Sequence, residues 1–183
     1  MAFGAHPRHD ERMNKFLLGL LLTSSALAQN AQPATPQPVQ LSTDVTVAQP
    51  TVTLSAAVRI AQLAVGNCAQ QGYFVAVTVV DRAGVTLAVA RAENAGPHTI
   101  DASYRKAYTS ASARNTTAAI AENIRNNPAS AELARIDRFL VVAGGAPIRV
   151  SNVVVGAIGV GGAPSGAIDE KCGTDAVATV LGG

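Results

Sequence analysis

The residues best equipped for chemistry crowd into one stretch, "AGPHTIDASYRKAYTSASAR", at positions 95–114. It holds His98, Tyr104, Arg105, Lys106, Tyr108 and Thr109, in a 183-residue chain with three histidines, three tyrosines and no tryptophan. Imidazole can ligate a metal or carry a proton, guanidinium and ammonium groups pair with carboxylates, and phenol rings offer a flat wall with a polar tip. Those types together suit an anionic, partly aromatic ligand. A helix starting near Thr99 sets residues four apart on one face, so Asp101, Arg105, Thr109 and Ser112 form a polar stripe. Ile100, Tyr104, Ala107, Tyr108 and Ala111 then make the more apolar faces. The same spacing also gives a plain i,i+4 ion pair between Asp101 and Arg105, with Thr109 and Ser112 as small residues that let the helix approach a sheet.

Elimination narrows the chemistry further. Met1, Met13, His6 and His9 all precede residue 29, which leaves one histidine and no methionine beyond it. Two-histidine or His/Met haem ligation within one chain is therefore excluded, and so is a 2-His-1-carboxylate iron site. A haem would have to bind through His98, Tyr104, Tyr108, a cysteine or a weak oxygen donor, with the other axial position open or filled by another subunit. Hydrolysis by an activated serine finds no Gly-x-Ser-x-Gly elbow, and His98, Asp101 and Ser103 point in different directions on a helix. Asp169 and Glu170 open the last helix, where negative charge favours the helix dipole. The "GGAPSG" loop before that helix is either an anion seat or a simple turn. Gly156, Gly159, Gly161 and Gly162 lie at a strand's end with the wrong spacing for a dinucleotide fingerprint.

Four helices and five strands are expected to position these groups. "LSAAVRIAQLAVGNCAQQG" has helical apolar recurrence, capped by Thr53 or Ser55 and stopped at Gly72. Two β-branched runs, 74–80 and 85–91, flank Asp-Arg-Ala-Gly and predict an antiparallel hairpin with Gly84 in the left-handed turn position. Helices follow from Thr99 or Ile100 through Ala113 and over 117–126, then strands at 138–143, 146–150 and 153–160, then a helix over 168–181. This order describes an α+β domain with a five-stranded, mostly antiparallel sheet; the alternating units of a parallel sheet are absent. Cys68 and Cys172 both fall in helices, and they either pair or stay as two buried thiols. No CxxC or CxxCH occurs, which argues against a zinc knuckle, a thioredoxin-like dithiol and covalent haem attachment.

The start of the chain reads differently. From Met13, Lys15 precedes an apolar run from Phe16 to Leu22 and then Ala26-Leu27-Ala28, the form of a secretory signal peptide. Residues 1–28 are thus read as leader, with 1–12 as an over-extended start, and the mature protein is expected in the periplasm or secreted. Residues 29–50, rich in Pro, Gln and Thr, are expected to be a flexible tether. Residues 51–183 make one domain. After residue 28 the charges nearly balance and no basic stripe occurs, which makes nucleic acid and anionic membrane poor partners.

Several runs together resemble the GlcG/HbpS family of haem-binding or haem-degrading domains, also similar to the C-terminal domain of PduO-type proteins. They are "LSAAVRIAQLAV", "VAVTVVDRAGVTLAVARAENAGPHTIDASYRKAYTSAS", "AGGAPIRV" and "VVGAIGVGGAPSGAIDEKCGTDAVATVL", which span nearly all of residues 52–182. The resemblance implies a profilin-like three-layer α/β/α sandwich and homo-oligomers from dimer to octamer. It implies haem as the cofactor, bordered by the helix that carries "RKAYT", with Thr109 at the position suggested as an iron ligand. On this basis His98, Arg105, Lys106, Tyr108 and Thr109 are the expected haem-binding residues, with His98 and Thr109 as candidates for the metal. The alternative is a small-carboxylate or hydroxy-acid binding module that uses Arg105, Lys106 and the Gly161–Gly166 loop. A third reading is an assembly protein whose Ala- and Val-rich helices bury subunit interfaces.

Overall fold

The computed structural model describes residues 38–182. The leader, its cleavage site and the first part of the expected tether lie outside the described residues. Residues 38–43 form a unit separate from the domain that begins at Asp44. Within the domain, residues 44–50 are exposed and carry no helix or strand.

The domain contains helix α1 (Leu54–Ala69), strands β1 (Ala76–Asp81) and β2 (Thr86–Arg91), helices α2 (His98–Ala113) and α3 (Thr117–Asn126), a 3₁₀ segment (Pro128–Arg135), strands β3 (Gly145–Val150) and β4 (Val153–Gly161), and helix α4 (Gly166–Leu181). Hydroxyl caps start three of the four α-helices: Thr53 accepts from the Ala56 amide, Thr116 from Ala119 and Ser165 from Ile168. Each satisfies one of the amides a helix leaves without an internal partner. Gly84 takes φ 82° in the β1–β2 turn, and Ser151 and Asn152 both take positive φ between β3 and β4, the mirror-image turn that suits strand twist.

The sheet is antiparallel, in the order β2-β1-β4-β3. Alternation along β1 sorts the two faces. Val77 and Val79 join Ile60, Ala64, Ile158 and Val160 in the main core under α1 and α4. Thr78 and Val80 face α2, through the Thr78–Ser103 hydroxyl contact at 2.8 Å and a small cluster with Ala107 and Ala111. Helices therefore cover both sides of the sheet. Cys68 and Cys172 are joined as a disulfide with Cα atoms 5.5 Å apart, which resolves the open choice in favour of pairing and staples α1 to α4.

The expected fifth strand over 138–143 does not form, and the sheet has four strands. Arg138 adopts φ 65°, which breaks an extended run. The next backbone groups are satisfied by side chains of α2: Arg105 Nη2 donates to the Phe139 carbonyl at 2.8 Å, and the Leu140 amide donates to Thr109 Oγ1 at 2.8 Å. Beside it, edge strand β3 carries Pro147, which has no N–H to offer a further strand.

Candidate functional site

Helix α2 divides lengthwise into two faces. Its inner face is small and polar, with Ser103, Lys106, Ala107, Ser110 and Ala111 buried. The sheet demands this. At Gly159 of β4, any Cβ would overlap the Ser103 carbonyl and lie 2.5 Å from the Ala107 amide, so helix and strand approach backbone to backbone. The bulky residues are thereby pushed to the flanks and outer side of the helix: Tyr104, Arg105 and Tyr108 are half-buried, Tyr104 against the Val80–Ala157 cluster and Tyr108 against Gly84, with His98 and Asp101 exposed. The polar stripe expected from the sequence is split: Asp101 and Ser112 are exposed and Arg105 is half-buried, whereas Thr109 is buried.

His98 occupies the first turn of α2. Pro97 precedes it, and Thr99 Oγ1 donates to the Gly96 carbonyl at 2.7 Å, which closes the turn. A Cβ added at Gly96 would sit 2.8 Å from His98 Cε1, so the imidazole lies back against Gly96. Two turns on, Arg105 Nη1 lies 3.9 Å from Asp101 Oδ2, and Arg105 Nη2 holds Phe139. Tyr104 and Tyr108 stand 6.0 Å apart between ring centroids. Tyr108 also meets the Phe139 ring edge-on at 6.3 Å and carries the Arg138 guanidinium 5.8 Å from its centroid. Gly84 packs directly under the Tyr108 ring, where a Cβ would come within 2.9 Å of Cδ2. Edge-on aromatic pairs and cation–π contacts of this kind fix ring orientation.

Of these groups, Asp101, Tyr104, Arg105 and Arg138 line an open recess of about 660 Å³ together with Asp137. Its acids are matched: Asp137 Oδ2 lies 3.7 Å from Arg138 Nε, as Asp101 lies beside Arg105. Pairs at a wet surface are held weakly, so either guanidinium can exchange its carboxylate for that of a ligand. Asp137, Arg138 and Phe139 were missed by sequence reasoning: the last two fall in a run, 138–143, that reads as strand, and Asp137 stands just before it outside any motif. No local signal marks the Arg138 reversal.

Two expected site residues turn inward. Lys106 is buried, with Nζ 2.8 Å from Asp169 Oδ2 and 2.9 Å from the Val160 carbonyl. Its charge is consumed by the fold and does not reach the recess. Thr109 is fully buried; its hydroxyl donates to the Arg105 carbonyl at 2.7 Å while accepting from the Leu140 amide. With its proton and one lone pair committed, it is placed as a latch for the 138–140 segment and faces no open space. The Gly161–Gly166 loop is likewise filled from within, since Asp169 Oδ1 accepts from the Ala163 amide at 3.0 Å. Among the described residues, no cluster of three or more His, Cys, Asp or Glu side chains could hold a metal ion, and no helix is long and apolar enough to cross a membrane.

A family model described as "Haem degrading protein HbpS-like" matches residues 52–178. The chain belongs to the HbpS-like family. A crystal structure of a double mutant of HbpS from Streptomyces reticuli is 37% identical, with a TM-score of 0.70, and the match covers 82% of this chain and all of that one. An uncharacterized 15.0 kDa protein from the dhaT-dhaS intergenic region of Citrobacter freundii is 32% identical over 114 residues, which cover 61% of this chain and 80% of the relative. The crystal structure of a PduOC–haem complex shares the fold at 20% identity, with a TM-score of 0.63 over 70% of this chain and 94% of that one.

Proposed function

We propose that this protein binds haem on the outer face of α2. The observation that carries the reading is one recess in which the Tyr104 phenol and two guanidiniums meet, on the helix whose first turn exposes His98, in a chain whose family is described as haem degrading. The residues present suit the group. Tyr104 supplies an aromatic surface that Tyr108 buttresses from beside it, Arg105 and Arg138 supply charged forks for the propionates, and His98 supplies an imidazole for iron. Bound haem would contribute a redox-active iron. The chain's own part is to orient the ring against Tyr104 and to shield one of its faces from water.

Hemin titration tests this. We expect a saturable band near the Soret region, weakened and shifted in His98→Ala, and an affinity about tenfold lower in Arg105→Ala, the loss of one charge-assisted contact. Thr109→Val should keep the band, since that hydroxyl is used inside the fold. A weak, non-saturable signal typical of adsorption would remove the proposal. Incubating the complex with a reductant in air separates the roles: loss of the band with release of iron marks degradation, and a lasting band marks sequestration or sensing.

The same reading places the protein outside the cytoplasm and in a homo-oligomer. The Cys68–Cys172 disulfide suits an oxidising compartment, in keeping with the leader. Leu54, Val58 and Leu181 leave apolar surface exposed on α1 and α4, the kind of surface subunits bury. Cell fractionation and light scattering check the two points: recovery in the cytoplasm, or a monomeric mass, would overturn the respective one.

A further inference from the structure

At the other end of α2, about 24 Å along the helix from His98, lies a second recess. It measures about 360 Å³ and is lined by Gln49, Thr51, Asp81, Arg82, Ala83 and Arg114. We propose that it is a separate site for a small oxyanion, phosphate or a carboxylate, held between the guanidinium groups of Arg82 and Arg114.

Charge accounting is the first argument. Among the described residues no ion pair involves Arg82 or Arg114, a state they share with Arg59, Arg91, Arg125 and Arg149, but these two line one recess together. The one acid in the recess, Asp81, is turned into the hairpin, where its Oδ1 accepts from the Ala83 amide at 2.8 Å and the Val85 amide at 2.9 Å. Two guanidiniums against one engaged carboxylate leave the recess locally positive.

Preorganisation is the second. Arg82 Nη1 donates to the Val154 carbonyl at 3.0 Å, and the Arg82 amide lies 3.4 Å from Thr51 Oγ1, so the side chain is anchored at both ends with donors to spare. A planar, anchored fork matches phosphate or carboxylate oxygens in pairs.

The third is conformational. Arg114 closes α2 in the left-handed region at φ 54°, a position that glycine fills without strain and that any Cβ disfavours. Neutralising the carbonyl end of the helix does not require the Arg114 guanidinium, because Arg149 Nη2 already donates to the Arg114 carbonyl at 2.6 Å. That contact fixes the root of the Arg114 side chain, and among the described residues no hydrogen bond or ion pair engages its guanidinium. The volume is at the small end of ligand pockets, which fits a compact anion.

The test uses the full chain in thermal-shift titrations with sodium phosphate, sodium succinate and sodium chloride at matched ionic strength. A saturable rise in Tm with phosphate, with succinate or with both, and none with chloride, supports the site and names its ligand class. Arg114→Gly is the decisive variant. It should keep or raise the unliganded Tm, because glycine relieves the left-handed residue, yet weaken the anion at least about tenfold. Arg82→Ala should weaken it similarly and serves if the first variant fails to fold. An identical response to chloride, or an unchanged titration in both variants, would overturn the proposal. Hemin binding is expected to be untouched in Arg114→Gly, so this outcome is read independently of the haem site.

Discussion

At Gly96 a single hydrogen atom decides where the imidazole of His98 lies, because the ring occupies the space a methyl group would take. Gly96→Ala should fold normally, since the ring is a movable side chain, yet alter the hemin absorbance by re-aiming the imidazole. An unchanged spectrum together with unchanged affinity would show that His98 does not touch the ligand. Lys106 and Asp169 act in the opposite sense. They sit in two different motifs of the sequence, "RKAYT" and "GAPSGAIDE", and the fold makes them one buried pair that also satisfies the Val160 carbonyl and the Ala163 amide. Removing one partner leaves a buried charge uncompensated, so Lys106→Met or Asp169→Leu should lose about 3–5 kcal/mol in urea unfolding. The double variant should regain much of that loss, because two apolar side chains of similar bulk do not need each other.

Among the elements, α2 governs the site because it faces the sheet with small residues and solvent with large ones. Gly159→Val should prevent this approach. The clash is with backbone atoms that cannot rotate away, and the expected outcome is loss of cooperative unfolding by circular dichroism. A variant that melts like the wild type would mean that α2 stands farther from β4. The helices and the two hairpins were legible in the chain because apolar periodicity, hydroxyl caps and Gly or Ser-Asn turns are local signals. The 138–143 segment was not. Its valines and leucine carry strand propensity, but its hydrogen bonds go to Arg105 and Thr109, some thirty residues away. For the same reason the site was half legible. The sequence brings His98, Arg105 and Tyr108 together on one helix, but which face turns outward depends on Gly159, and the partners Arg138 and Phe139 come from a reversal that propensity does not encode.

At the scale of the domain, the sheet lies between α1 with α4 on one side and α2 on the other, and a single covalent bond joins the first helix to the last. Closing a loop of about 100 residues restricts the unfolded chain, a contribution of roughly 2–5 kcal/mol. The Cys68→Ser/Cys172→Ser double variant should show that loss in guanidinium unfolding, with hemin binding retained because the recess lies across the sheet. Equal midpoints for the two proteins would mean that the bond adds nothing to the folded state. The bond also carries a timing consequence for biosynthesis. Because its two sulfurs are separated by 104 positions, a nascent chain cannot seal it until residue 172 has emerged. Any polypeptide that stops short of that point keeps a lone thiol on its first helix, a chemical mark by which quality-control machinery could tell an unfinished copy from a finished one.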